Sequence, residues 1–181
     1  MFTHILLDVD GTLTDSSVIY SDNGTETKTF SIRDGIGFAV ARECGIRIIV
    51  IAGRACDVTE RRMKELKAAE IHQGIVNKYD FVRKYLEENH PDSESVCYMG
   101  DDINDYYAMD FAGFVACPDN ACDEVKEKVD YVCKAPGGKG AFRDLIEHIV
   151  GKEKWMETTE TVWTVSVMIA LFLKKLTSLI I

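Results

Sequence analysis

The sequence predicts an α/β fold, a mostly parallel sheet with helices on both faces and a β-hairpin flap after the first strand. Apolar, β-branched runs alternate with helical patterns, a βαβα rhythm that builds parallel sheets through right-handed crossovers. Acids cluster directly behind two of those runs, at the carboxyl ends of strands where such sheets bind their ligands. One segment, "SSVIYSDNGTETKTFSI", breaks the rhythm with Asp22-Asn23-Gly24, a hairpin turn between two strand-like arms.

In chain order, the strands are Ile5–Val9, Arg47–Ile51, Ile75 and its neighbours, Val96–Met99, Phe114–Ala116 and Tyr131–Cys133. Helical patterns cover Gly35–Glu43, Asp57–Ala68, Tyr79–Glu88, Asn104–Ala112, Ala121–Lys128 and Ala141–Val150. Together they give a Rossmann-like domain over residues 1–150, with the flap at about 16–33. The sequence changes character after Gly151: "TVWTVSVMIALFLKKLTSLII" is apolar but interrupted by Lys174 and Lys175. A spanning helix needs about 20 apolar residues, and a lysine at mid-bilayer costs roughly 2.5–3.5 kcal/mol. Residues 151–181 therefore read as an apolar helical extension that packs or bridges subunits; membrane contact by this tail is the competing reading.

A length of 181 residues suits one core-forming domain with an appendage. A net charge of -9 excludes a general nucleic-acid binder, which needs a basic face. It does not exclude an anionic substrate, because a metal ion can reverse the sign of a site locally. The six cysteines are scattered, with no CxxC pair and no secretory signal, so they read as reduced thiols of a cytoplasmic protein rather than as a zinc site.

The chemistry starts at "HILLDVDGTLTD". Asp8 and Asp10, two apart, leave the same side of an extended strand end. Burying two carboxylates is costly unless they are paired or bound to a metal. Gly11 turns the chain sharply, and Thr12 adds a hydroxyl and an N–H. A hard cation such as Mg²⁺ resolves the repulsion, and one or two carboxylates suffice to hold it. "VCYMGDDINDYYAMD" repeats the pattern: a strand, a glycine, then Asp101, Asp102 and Asp105 entering a helix. Asp101 can join the first cluster around one cation, while Asp102 and Asp105 can hold a lysine or order the water shell of the metal. Helix capping is the alternative for Asp101 and Asp102.

"DVDGTLTD" followed by "GDDIND" resembles the haloacid dehalogenase superfamily of phosphatases. "GIRIIVIAGR", "HQGIVNK" and "APGGKGAFRDL" occur in the order seen in its capless branch of 3-deoxy-D-manno-octulosonate (KDO) 8-phosphate phosphatases, enzymes of lipopolysaccharide biosynthesis. The resemblance covers about residues 1–150 and implies a fold with no large cap domain. It implies that Asp8 is the nucleophile forming an aspartyl-phosphate. It also implies that Asp10 is the acid/base and Lys78 the phosphate-stabilising lysine. Mg²⁺ would bind the Asp8 carboxylate, the Asp10 carbonyl and Asp101. The alternatives are a phosphatase of nine-carbon, sialic-type 2-keto-3-deoxy acid 9-phosphates, and a weakly active or non-catalytic subunit of the same fold.

One position departs from the resemblance. Ala52 stands where the family usually has a phosphate-binding Ser or Thr. Loss of that hydroxyl costs on the order of 1–3 kcal/mol of transition-state stabilisation, with the Gly53 N–H or a water as compensation, so a slower phosphatase is expected. Arg54 is a candidate grip on the substrate carboxylate, with Arg62, Lys139 and Arg143 as further candidates. The resemblance also implies a homotetramer whose flaps pack together, and an isolated two-stranded ribbon gains stability by such association.

Overall fold

The computed structural model describes the backbone of residues 1–177 and side chains up to residue 164. Six parallel strands form one sheet in the order β5-β4-β1-β6-β7-β8, namely β1 (His4–Leu7), β4 (Arg47–Ile51), β5 (Glu70–His72), β6 (Val96–Met99), β7 (Phe114–Cys117) and β8 (Tyr131–Val132). β1 lies inside the sheet: it pairs with β4 on one side and β6 on the other, Leu7 registering with Val50 and Met99. Alternation then divides the core. Ile5 and Leu7 face one apolar layer, with Phe38 of α1 (Ile32–Glu43), Met63 of α2 (Asp57–Glu65) and Phe142 and Leu145 of α6 (Ala141–Val150). Leu6 faces the other, with Val82 and Tyr85 of α3 (Lys78–Asn89) and Val125 of α5 (Asp123–Lys128). Helices on both faces are what a buried parallel sheet requires.

The flap forms as expected, as the two-stranded pair β2 (Ile19–Tyr20) and β3 (Glu26–Thr27). Its turn closes through Gly24 N–H to Ser21 O at 2.8 Å, with Gly24 at φ +80°. No second domain covers the carboxyl edge of the sheet among the described residues.

Two expected elements differ. The strand anticipated around Ile75 lies earlier, at Glu70–His72, because Ile75 N–H turns back to Ala52 O and leaves the ladder. The helix anticipated over Asn104–Ala112 divides into α4 (Ile103–Tyr106) and a 3₁₀ turn at Ala108–Phe111, where Ala112 N–H reaches Met109 O. The extension begins a helix, α7 (Lys152–Thr177), whose first turns bury Trp155 and Thr158 in the α1–α6 layer. Among the described residues no helix is long and apolar enough to cross a membrane. Side-chain packing of the remaining tail, including Lys174 and Lys175, lies outside the described residues.

α6 lacks a side-chain cap of its own, since its N-cap residue is Gly140, which has no side chain. Asp34 of α1 supplies one from a distance, accepting the Arg143 N–H at 3.0 Å. Burial pushes the Asp34 carboxyl up to about 6 despite that bond and the neighbouring Arg62.

Candidate active site

Both acidic strand ends meet at the carboxyl edge. β1 delivers Asp8, 2% exposed, its N–H donating to Met99 O of β6. The chain then folds tightly, Leu13 and Thr14 N–H both returning to Val9 O, which is why Val9 belongs to the turn and not the strand. Gly11, at φ +104°, is obligatory twice over: its backbone is left-handed, and a Cβ there would lie 1.8 Å from Asp101 Oδ2. β6 delivers Asp101, and Thr12 Oγ1 donates to Asp101 Oδ1 at 3.2 Å. Gly100 lets the second acid approach, since its Cβ would fall 2.3 Å from Asp105 Cγ.

Carboxylate oxygens of Asp8, Asp101 and Asp105 lie within 4.8 Å of one another, all three buried. Between them sits Lys78 at the start of α3, its Nζ donating to Asp8 Oδ1 at 2.5 Å and Asp105 Oδ1 at 2.7 Å. Asp105 Oδ1 also accepts from Tyr98 OH at 2.7 Å, and its Oδ2 accepts from the N–H groups of Asp101 and Asp102. Four donors thus occupy Asp105, which holds the lysine. Asp102 caps α4 through Ile103 N–H at 2.8 Å, so the capping alternative applies to it and not to Asp101.

Too much negative charge remains. Burial raises the Asp8 pKa to about 6 even with Lys78 beside it. Burial, then the charges of Asp8 and Asp105, raise Asp101 to about 8. Asp8 Oδ2 is buried with no hydrogen-bond partner. Oxygen-only donors, excess negative charge and an orphaned carboxylate oxygen fit a hard divalent cation. Lys78 itself is pulled down by burial, but Asp8 and Asp105 together hold its ammonium above the ordinary lysine value.

Asp10 is reached from the flap: Lys28 Nζ donates to Asp10 Oδ1 at 2.5 Å, with the lysine side chain 1% exposed. Neither Lys28 nor Tyr98 stands out in the sequence, where one reads as a solvated hairpin cation and the other as core filler. The only sequence signal for Lys28 is its i, i+2 spacing from Glu26 along an extended arm. Arg54 points to the flap too, its Nη2 donating to Tyr20 OH at 2.7 Å and Glu26 Oε2 at 3.0 Å. Ala52 is fully buried, and the open side of Gly53 faces Asn104 Nδ2, 3.8 Å from where a Cβ would stand.

The remaining cationic candidates sit elsewhere. Arg62 bonds Ser31 O and Glu65 between α1 and α2. Lys139 and Arg143 line a surface cavity of about 280 Å³ with Arg33 at the start of α6, and the Arg143 guanidinium lies over Trp155.

Comparison with known proteins places this geometry. A family model described as haloacid dehalogenase-like hydrolase matches residues 64–141. The 3-deoxy-D-manno-octulosonate 8-phosphate phosphatase KdsC of Escherichia coli K12 is 34% identical over 143 residues, spanning 79% of this chain and 76% of that protein. The enzyme of the same name from Haemophilus influenzae is 31% identical over 159 residues, 86% of this chain and 88% of that one. A crystal structure of this phosphatase from Moraxella catarrhalis, in complex with magnesium, phosphate and KDO, matches with a TM-score of 0.79 at 32% identity, covering 94% of this chain and 93% of the other. With acids, lysine and glycines assembled at one sheet edge and such relatives aligned over most of their length, the chain belongs to the 3-deoxy-D-manno-octulosonate 8-phosphate phosphatase family of haloacid dehalogenase-like hydrolases.

Proposed function

We propose that the protein is a Mg²⁺-dependent phosphatase that hydrolyses KDO 8-phosphate through an aspartyl-phosphate on Asp8. The observation that carries this is the placement of Lys78 between Asp8 and Asp105, with Asp8 Oδ2 left unpartnered beside Asp101. Asp8, Asp101 and the Asp10 carbonyl would hold Mg²⁺, which supplies charge neutralisation for phosphoryl transfer.

Asp8 attacks phosphorus as the sugar oxygen leaves, and Lys78 draws charge from the phosphoryl oxygens while fixing the nucleophile. Asp10 gives its proton to the departing oxygen. It then takes one from the water that attacks the aspartyl-phosphate, releasing phosphate and restoring Asp8. Thr12 orients Asp101. Arg54, stiffened by Tyr20 and Glu26, keeps other guanidinium donors free for the sugar-acid carboxylate. Exposed Val18, Ile19 and Tyr20 on the flap support association with further copies, a homotetramer in this reading. All six cysteines are free, as a reducing cytoplasm would keep them.

The test is turnover of a panel: KDO 8-phosphate, a nine-carbon 2-keto-3-deoxy acid 9-phosphate and glucose 6-phosphate, each with and without Mg²⁺. KDO 8-phosphate should give the highest kcat/KM, and Asp8→Asn should abolish it. Activity surviving in Asp8→Asn overturns the nucleophile; preference for the nine-carbon ester reassigns the substrate.

A further inference from the structure

The inward side of the flap carries a continuous ionic chain toward the acid/base. Glu26 and Lys28, two apart on an extended arm, leave it on the same side while Thr27 faces solvent. Lys28 Nζ lies 2.5 Å from Asp10 Oδ1 and 3.6 Å from Glu26 Oε1. Glu26 Oε2 meets Arg54 Nη2 at 3.0 Å, and Tyr20 OH meets the same nitrogen at 2.7 Å. A hairpin of two-residue strands gains little by enclosing an ammonium. Buried ion pairs are poor stabilisers compared with packed apolar side chains, so the lysine calls for another reason. Asp10 provides one. Lys28 occupies its Oδ1, and its Oδ2 is buried with no partner.

We propose that Lys28 is a positioning residue for Asp10, gripping Oδ1 so that Oδ2 faces the leaving-group oxygen, with Glu26 relaying the position of Arg54 to the same point. Docking of the chain's own flap then assembles the proton donor together with the candidate carboxylate reader. An ammonium donor can hold Oδ1 both while Oδ2 carries the proton and after that proton has been given up, so the contact serves both half-reactions. This inference rests on Asp10 being the acid/base of the reaction proposed above.

The leaving group makes a selective test. A sugar alkoxide must be protonated as it departs, whereas p-nitrophenolate is stable as an anion and depends far less on Asp10. Lys28→Met should lower kcat on KDO 8-phosphate roughly 10–100-fold at near-constant KM. Its loss on p-nitrophenyl phosphate should be at least about tenfold smaller, which also reports that the variant is folded. Lys28→Arg should recover part of the loss, and Lys28→Met should add little in an Asp10→Asn background. Equal losses on both esters, a loss confined to KM, or undiminished cost in the Asp10→Asn background overturns the role of Lys28. Wild-type enzyme inert on KDO 8-phosphate but active on other alkyl phosphates overturns the substrate instead, and the same comparison is then read on those esters.

Discussion

Lys78 Nζ donates to Asp105 Oδ1 at 2.7 Å with both side chains fully shut off from solvent. The same ammonium also holds Asp8, so one cation serves two buried carboxylates. Lys78→Met leaves both uncompensated. The expected cost is about 3–5 kcal/mol of stability in urea denaturation without metal, together with loss of turnover. An unchanged midpoint would show that the pair contributes nothing to the fold.

Asp101 and Asp8 carry the negative charge that remains after Lys78 is counted. Chelation should stop turnover, and Asp101→Asn should raise the Mg²⁺ concentration for half-maximal rate by roughly 10–100-fold. Titrating Mg²⁺ against initial rate checks this, and an unaltered midpoint removes Asp101 from the ligand set.

Asp34 gives stability a pH dependence away from the metal centre. Burial raises its carboxyl from 3.8 to about 6, so between those values the folded protein binds more protons than the unfolded chain. Stability from this group therefore falls as pH rises from about 4 to about 6, by about 3 kcal/mol at most, and is level above. Asp34→Asn, whose amide oxygen can still accept the Arg143 N–H, should flatten that slope in urea midpoints measured across the window. A slope equal to wild type would mean the carboxyl titrates normally.

Ala52 sits fully buried between Ile51 of β4 and Gly53. Ala52→Thr places a hydroxyl where the family resemblance implies a phosphate-binding Ser or Thr. An increase in kcat/KM of about 5–100-fold is expected, corresponding to 1–3 kcal/mol of added transition-state stabilisation. No increase would mean another donor, such as the Gly53 N–H, already fills the role.

Much of the site was legible because its signals are local. An apolar run, a carboxylate and a glycine within a few residues mark Asp8 and Asp101, and strand-end placement follows from the βαβ rhythm. Lys78 carried no such local signal: a lysine opening a helix reads as surface until Asp8 and Asp105 enclose it. β5 is hard to place from the sequence because an edge strand bonded only to β4 leaves Glu70 and His72 half-buried and has a weak apolar pattern. Lys28, Tyr98 and Asp34 were missed for a common reason: each acquires its role from a partner on another element.

The sequence by itself determined the parallel sheet, the flap and the two acidic strand ends, since periodicity and turn chemistry act over a few residues. Only the tertiary structure decided how the charges divide. Asp105 is taken up by four donors, Asp101 accepts from Thr12 beside Asp8, and Asp10 is gripped by a flap lysine. Burial makes each unpaired charge costly, and which charges are paired depends on contacts between segments far apart in the chain.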